Sequence, residues 1–221
     1  MPDFAAARKN MVDGVVHTAG ITNPLILDAF RNVPRETFVP EALQSAAYTD
    51  EDLPLGMGRY LPEPIPHAKM LQALELKGTE KVLDVGGATG YAPTIMSHIA
   101  RTVVAVDDEE FLNYALHIWH HMDIENIIPA RASAGGDYSS HGPYDVIFIN
   151  GAVAEMPVYL SEQLAPGGQM VAIVKKAGMR MGEATLLRNS VGHKFSSRVL
   201  FEAGAHYLPG FEPKPVFNFN N

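Results

Sequence analysis

Apolar positions along this chain change period, and the changes mark out its elements. Phe4, Ala7, Met11, Val15 and Val16 share one helical face, so residues 4–19 read as a helix that Gly20 stops. Asn23-Pro24 reads as the next helix start. Asn caps, and Pro takes the first helical position, where its missing N–H costs nothing. Leu25, Ile26, Ala29 and Phe30 carry that apolar face to about residue 32. Residues 33–40 then break it. Residues 47–66 hold so much Pro and Gly that no regular element is expected, although Tyr48, Leu53, Leu55, Tyr60 and Leu61 predict a packed loop. A helix over 67–76 follows.

From there short, β-branched runs alternate with helical segments. Strands are expected at 81–85, 101–107, 126–132, 144–150 and 169–175, with helices at 91–100, 109–122 and 156–164. Strand alternating with helix predicts an α/β fold of doubly wound, Rossmann-like type. The segments 183–188 and 194–202 alternate in the manner of antiparallel strands. The tail, 204–221, is aromatic and Pro-rich with no clear period.

The chemistry collects where the first core strand runs into its helix. Val82, Leu83 and Val85 end in the turn Gly86-Gly87-Ala88-Thr89-Gly90, and Asp84 lies within the strand. Glycines suit such a turn because a ligand must approach the backbone with no Cβ in the way, and the helix N-terminus offers free N–H groups. The second strand ends on Asp107-Asp108, with Asp107 lying 21 positions after Gly86. An acid at that tip, about 20 residues on, accepts both ribose hydroxyls of a nucleoside. A dinucleotide would need G-x-G-x-x-G, but Ala88 stands at the second glycine and no third follows. There is no triphosphate loop either. An adenosyl ligand without phosphates fits better, which points to S-adenosylmethionine, with S-adenosylhomocysteine as the product. Asp137 is a candidate for the adenine amino group, with a surface-turn role equally open. Asn150 ends a central strand at the carboxyl edge, where ligands bind in such sheets.

Composition narrows the class. The chain has 221 residues, no Cys and a formal net charge of −8. Disulfides and thiolate metal sites are excluded, and a dedicated nucleic-acid binder is not expected from an acidic chain. His117, His120 and His121 sit at helical spacing, but no acid lies in register, so no metal is expected. No signal peptide or membrane-length apolar run is present, so the expected location is cytoplasmic.

With these residues in view, the chain resembles the protein-L-isoaspartate O-methyltransferase family. The resemblance rests on Val33-Pro-Arg-Glu-Thr-Phe-Val-Pro40, Ala47-Tyr48, Asp52-Leu-Pro-Leu-Gly-Met-Gly58, Val82-Leu-Asp-Val-Gly86 with Gly90-Tyr91, Pro143-Tyr-Asp145 and Gln163-Leu-Ala-Pro-Gly-Gly168. It implies a class I methyltransferase fold: a seven-stranded, mostly parallel sheet with an antiparallel last hairpin and an N-terminal helical cap. The expected layout is N-terminal helices and acceptor loop over 1–76, a core over 77–203 and a tail over 204–221, together forming one compact unit. The implied activity is methyl transfer to a protein or peptide carboxylate, a protein-repair chemistry. By the same resemblance Gly86, Gly87 and Gly90 line the cofactor, Asp107 holds the ribose and Asp137 sits near adenine; Asp84, Ala88, Asp108 and Asn150 are the further cofactor-binding candidates.

The acceptor loop departs from the family. Where the family continues Gln-Thr-Ile-Ser-Gln-Pro, this chain reads Arg59-Tyr60-Leu61-Pro62-Glu63-Pro64, so the serine position is Pro62. Arg59, Tyr60 and Glu63 become the candidate acceptor residues. Arg59 would clamp a carboxylate bidentately, whereas Glu63 would repel it. The sequence leaves open a carboxylate acceptor, a different acceptor such as a small molecule, and cofactor binding without turnover. It does not give the oligomeric state.

Overall fold

The computed structural model describes residues 2–132, 136–190 and 194–214. The expected loop residues Ser133, Ala134 and Gly135, and residues 215–221 of the tail, lie outside them.

Helix α1 (Phe4–Met11) begins where Asp3 accepts the Ala6 N–H, and it runs on through 12–16 in a wider turn, with His17 N–H donating to Val12 O. Helix α2 (Pro24–Asn32) has the expected cap, Asn23 accepting the Leu25 N–H. The 47–66 stretch is more regular than its Pro and Gly content suggested. It folds a small antiparallel hairpin, β1 (Leu53–Gly56) and β2 (Arg59–Leu61), around Met57 and Gly58 at positive φ. Helix α3 (Pro64–Ala73) then starts three residues earlier than the periodicity placed it. Pro64 and Pro66 are both tolerated because they fall in the first turn, whose N–H groups have no intrahelical partner.

The core runs β3 (Lys81–Val85), α4 (Tyr91–Ser97), β4 (Thr102–Asp107), α5 (Glu109–His121), β5 (Ile127–Arg131), β6 (Tyr144–Val153), α6 (Val158–Ser161), β7 (Leu164–Val174), β8 (Met181–Ser190) and β9 (Lys194–Gly204). The sheet order is β5-β4-β3-β6-β7-β8-β9. The first five of these pair in parallel, and β8 and β9 close the sheet antiparallel. This is the expected α/β architecture. The strands β6 and β7 are longer than expected, and α6 is shorter. The chain order reverses between β3 and β6, so a crevice opens above their carboxyl ends.

Strand residues alternate between two cores. Val82, Val103, Ala105, Val146, Phe148 and Val171 pack with the N-terminal helices, α4 and α5. Leu83, Val85, Val104, Val106, Ile147 and Ile149 face the other side, where Tyr138, Tyr144, Leu160 and Leu208 cover them. Thus the tail supplies part of a core. Its backbone docks on the end of β6, with Ala152 N–H on His206 O, Leu208 N–H on Ala152 O and Ala154 N–H on Phe211 O.

Candidate functional site

The turn after β3 is held by Gly86 N–H on Val106 O and Gly90 N–H on Gly87 O, both 2.9 Å. Its glycines answer to the protein's own neighbours. A Cβ on Gly87 would lie 2.3 Å from Asp84 Oδ2 and 2.8 Å from Pro93. One on Gly90, at φ +96°, would meet Ala115 and Trp119 within 3 Å. One on Gly86, at φ +80°, would meet Leu208 at 2.5 Å and Arg59 Nη2 at 3.1 Å. Close approach does require the glycines, but in this structure the approaching groups are side chains of the same chain. Ala88 takes φ 48°, a left-handed conformation that costs a side-chain-bearing residue energy and is held here by its surroundings.

Asp107 sits at the tip of β4, 4 % exposed, and its carboxylate is full. Oδ1 accepts Arg59 Nη1 at 2.6 Å and Asp108 N at 2.8 Å; Oδ2 accepts Arg59 Nη2 and Ala88 N, both at 2.6 Å. A carboxylate offers about four lone-pair sites. Arg59 is itself buried, and its guanidinium lies 5.2 Å from the Phe111 ring. A cleft of about 270 Å³ opens beside this pair, walled by Gly86, Asp107, Asp108, Gly136, Tyr138, Tyr159, Leu208 and Phe211 among others. Asp108 is exposed at the start of α5.

Asp84 is fully buried on β3. Asn150 Nδ2, from β6, donates to its Oδ1 at 2.5 Å, while Oδ2 lies beside Gly87 and makes no hydrogen bond of ordinary geometry. Burial, with the Asp107 charge adding and the Asn150 hydrogen bond opposing, pushes the Asp84 carboxyl up to about 8. It therefore carries a proton at neutral pH.

On the other side of Arg59 lies a smaller cavity of about 40 Å³, between the hairpin, α3 and the tail. Tyr60 lines it and stacks on His206, with rings 3.6 Å apart and 7° from parallel. Glu63 lines it too, its carboxyl pushed upward by burial and by Asp52 and Asp50. Asp52 accepts the Glu63 N–H at 2.9 Å. Pro62, in the serine position, turns its carbonyl to the buried Arg35 at 2.6 Å. His67 reaches the cavity floor among Phe30, Tyr91 and Phe148, with neither ring nitrogen partnered. Burial and the charge of Arg35 drive its pKa down to about 3, so it is neutral.

The expected site residues thus gather at one sheet edge, with Arg59, Leu208 and Pro209 in the walls of both the cleft and the cavity. Asp137 is set apart: its exposed carboxylate accepts the Ser139 N–H at 2.9 Å, and the flanking Gly136 and Tyr138 line the cleft instead. Sequence reasoning passed over Asp52, His67 and the tail residues His206 and Leu208. Only the chain's own apolar tail residues, Tyr207, Leu208 and Phe211, hinted at a packed segment. The residues present suit an adenosyl group, having a strand-end carboxylate, a glycine turn and an adjoining cleft. Two features stand against it: Arg59 occupies the carboxylate, and the Leu208 side chain lies over Gly86.

Residues 6–201 match the family described as protein-L-isoaspartate(D-aspartate) O-methyltransferase. The chain is 34% identical over 189 residues to protein-L-isoaspartate O-methyltransferase 1 of Rhodopseudomonas palustris (strain HaA2), covering 85% of this chain and 77% of the relative. It is 33% identical to the protein of the same name from Syntrophobacter fumaroxidans, covering 86% and 88%. Among solved structures, a protein-L-isoaspartate O-methyltransferase superposes with TM-score 0.80 at 24% identity, over 92% of this chain and 66% of that one, just under two thirds of its length. A Plasmodium falciparum protein of that putative activity, solved with S-adenosyl-L-homocysteine, superposes with TM-score 0.73 at 16% identity, over 94% and 99%. At these identities the two structures speak for the fold.

Proposed function

This chain belongs to the protein-L-isoaspartate O-methyltransferase family, and from that premise we propose that it moves the methyl group of S-adenosylmethionine onto a side-chain carboxylate of a protein or peptide, the isoaspartyl group of damaged proteins being the acceptor. The observation that carries the reading is the meeting of Asp107, which accepts the Ala88 N–H, with Gly86 on the wall of one cleft.

In this reading Asp107 takes the ribose, and the turn Gly86, Gly87, Ala88 and Gly90 borders the rest of the adenosyl group. S-adenosylmethionine supplies an electrophilic methyl on a sulfonium. The acceptor carboxylate is already ionised near neutral pH and needs no general base. What remains for the chain is to place it and keep water out, and positioning alone is worth up to about 7–11 kcal/mol of barrier. Tyr60, Pro62, Glu63 and His67 shape the place where the acceptor sits. Pro62 has no hydroxyl to give, so another group must hold the acceptor. Neutral Asp84, bound to Asn150, puts no second negative charge beside Asp107.

The test is methyl transfer from radiolabelled S-adenosylmethionine to an isoaspartyl peptide, read as base-labile methyl ester. Transfer that is absent for the matching aspartyl peptide supports the assignment. S-adenosylhomocysteine binding with no transfer to the isoaspartyl peptide would overturn the acceptor.

A further inference from the structure

We propose that Arg59 is a two-position residue: the cofactor's sugar displaces its guanidinium from Asp107, and the guanidinium then turns into the adjoining cavity and holds the acceptor carboxylate. This rests on the methyltransferase reading and adds the residue that joins its two halves.

Saturation of Asp107 carries the argument. Four donors already fill its lone pairs, two of them main-chain N–H groups fixed by the fold, Ala88 and Asp108. Sugar hydroxyls can bond this carboxylate only if the two remaining donors leave, and both belong to Arg59. The guanidinium has somewhere to go. Arg59 lies in the walls of both the cleft and the cavity, and it starts a three-residue strand just after a turn with Gly56, Met57 and Gly58 at positive φ.

Charge explains why the released position is used. Among the described residues that line the two spaces, Arg59 is the only Lys or Arg. Without it, the cavity presents Asp52 and Glu63, with His206 Nε2 3.9 Å from Asp52, and repels a carboxylate. With the guanidinium inside, the balance shifts toward an anion, and the planar fork matches a carboxylate bidentately. Arg59 thereby takes over the holding role that Pro62 cannot perform. A buried guanidinium is costly without a partner. Cofactor binding alone therefore leaves Arg59 poorly paired, and an anionic acceptor restores the pairing. The two ligands must then strengthen each other's binding by equal factors.

Calorimetry tests this with S-adenosylhomocysteine, an isoaspartyl peptide and the same peptide with that carboxylate as an amide. In the wild type the isoaspartyl peptide is expected to tighten S-adenosylhomocysteine binding at least tenfold, and the amide peptide to leave it unchanged. Arg59→Gln is expected to bind S-adenosylhomocysteine about tenfold more tightly on its own, to lose the coupling, and to raise the peptide KM with kcat less affected. If Arg59→Gln binds the nucleoside as weakly as the wild type or more weakly, Arg59 merely braces Asp107 and the proposal fails. Equal coupling by both peptides also overturns it, on the wild-type protein alone, should the variant not fold. No nucleoside binding to either protein overturns the methyltransferase reading as well; transfer with unchanged coupling overturns only the switch.

Discussion

Asn150 Nδ2 stands 2.5 Å from Asp84 Oδ1, tying the parallel strands β3 and β6 at the point where the strand order reverses. The pair is a neutral hydrogen bond at physiological pH, because burial first, and the Asp107 charge after it, raises the Asp84 carboxyl to about 8.

That shift has a stability consequence with a definite sign. The folded protein keeps a proton on Asp84 that the unfolded chain has lost above its ordinary value of 3.8, so this group's contribution falls as pH rises from about 4 to about 8. His67 acts oppositely: lowered from 6.5 to about 3, it makes stability rise with pH across that window, and His98 shifts in the same direction. As pH rises past 6.5 the opposition from these histidines fades, and the Asp84 slope dominates toward pH 8. Stability should decline there by at most about 1.4 kcal/mol per pH unit. Urea unfolding at pH 6.5, 7.25 and 8 checks this, and Asp84→Asn should flatten the line. An unchanged slope in the variant would show that another group titrates.

Asp107→Ala should destabilise by about 3–5 kcal/mol, since it strands a buried guanidinium. Arg59→Met should cost less, because Asp107 keeps the N–H groups of Ala88 and Asp108. The double variant Arg59→Met with Asp107→Leu should recover most of the loss, as apolar replacements of buried ion pairs often do. Equilibrium unfolding of the four proteins gives the coupling directly. Additive losses would contradict the pairing.

Gly90→Ala should lose about 2–4 kcal/mol, combining left-handed strain with overpacking against Ala115 and Trp119. Gly14→Ala is the contrasting case. Nothing lies within 4 Å of its added Cβ and its φ is not positive, so a gain of about 0.5–1 kcal/mol is expected. Melting temperatures moving in opposite directions would confirm that the glycines of the turn serve packing.

Tyr60→Ala should loosen the tail. The stack on His206 adds to the hydrogen bonds that seat residues 206–211 on β6, and such pairs are worth about 0.5–1.5 kcal/mol. Hydrogen exchange at the Leu208 amide, bonded to Ala152 O, should accelerate several-fold while the β3 amides stay protected. Unchanged exchange at Leu208 would mean the stack holds nothing in place.

Much was legible in the sequence because it is local. Val82, Leu83 and Val85 announce a buried strand, Asn23-Pro24 announces a capped helix, and Asp107 follows Gly86 at the interval one strand–helix–strand unit takes. The family itself rests on such short runs. Other features hang on partners far apart in the chain. Arg59 and Asp107 are separated by 48 residues, and nothing near Arg59 says its fork will end on a strand tip. The hairpin at 53–61 defied its Pro and Gly content because its apolar Leu53 and Leu61 are buried in the core, a gain that composition does not register. Leu208 had no periodicity to reveal it, since it docks by main-chain bonds onto β6. Periodicity and spacing thus determined the order of elements and the side of the sheet where chemistry belongs. Tertiary packing alone decided which charge meets which, because burial and distance set that energy and neither is a property of neighbouring residues.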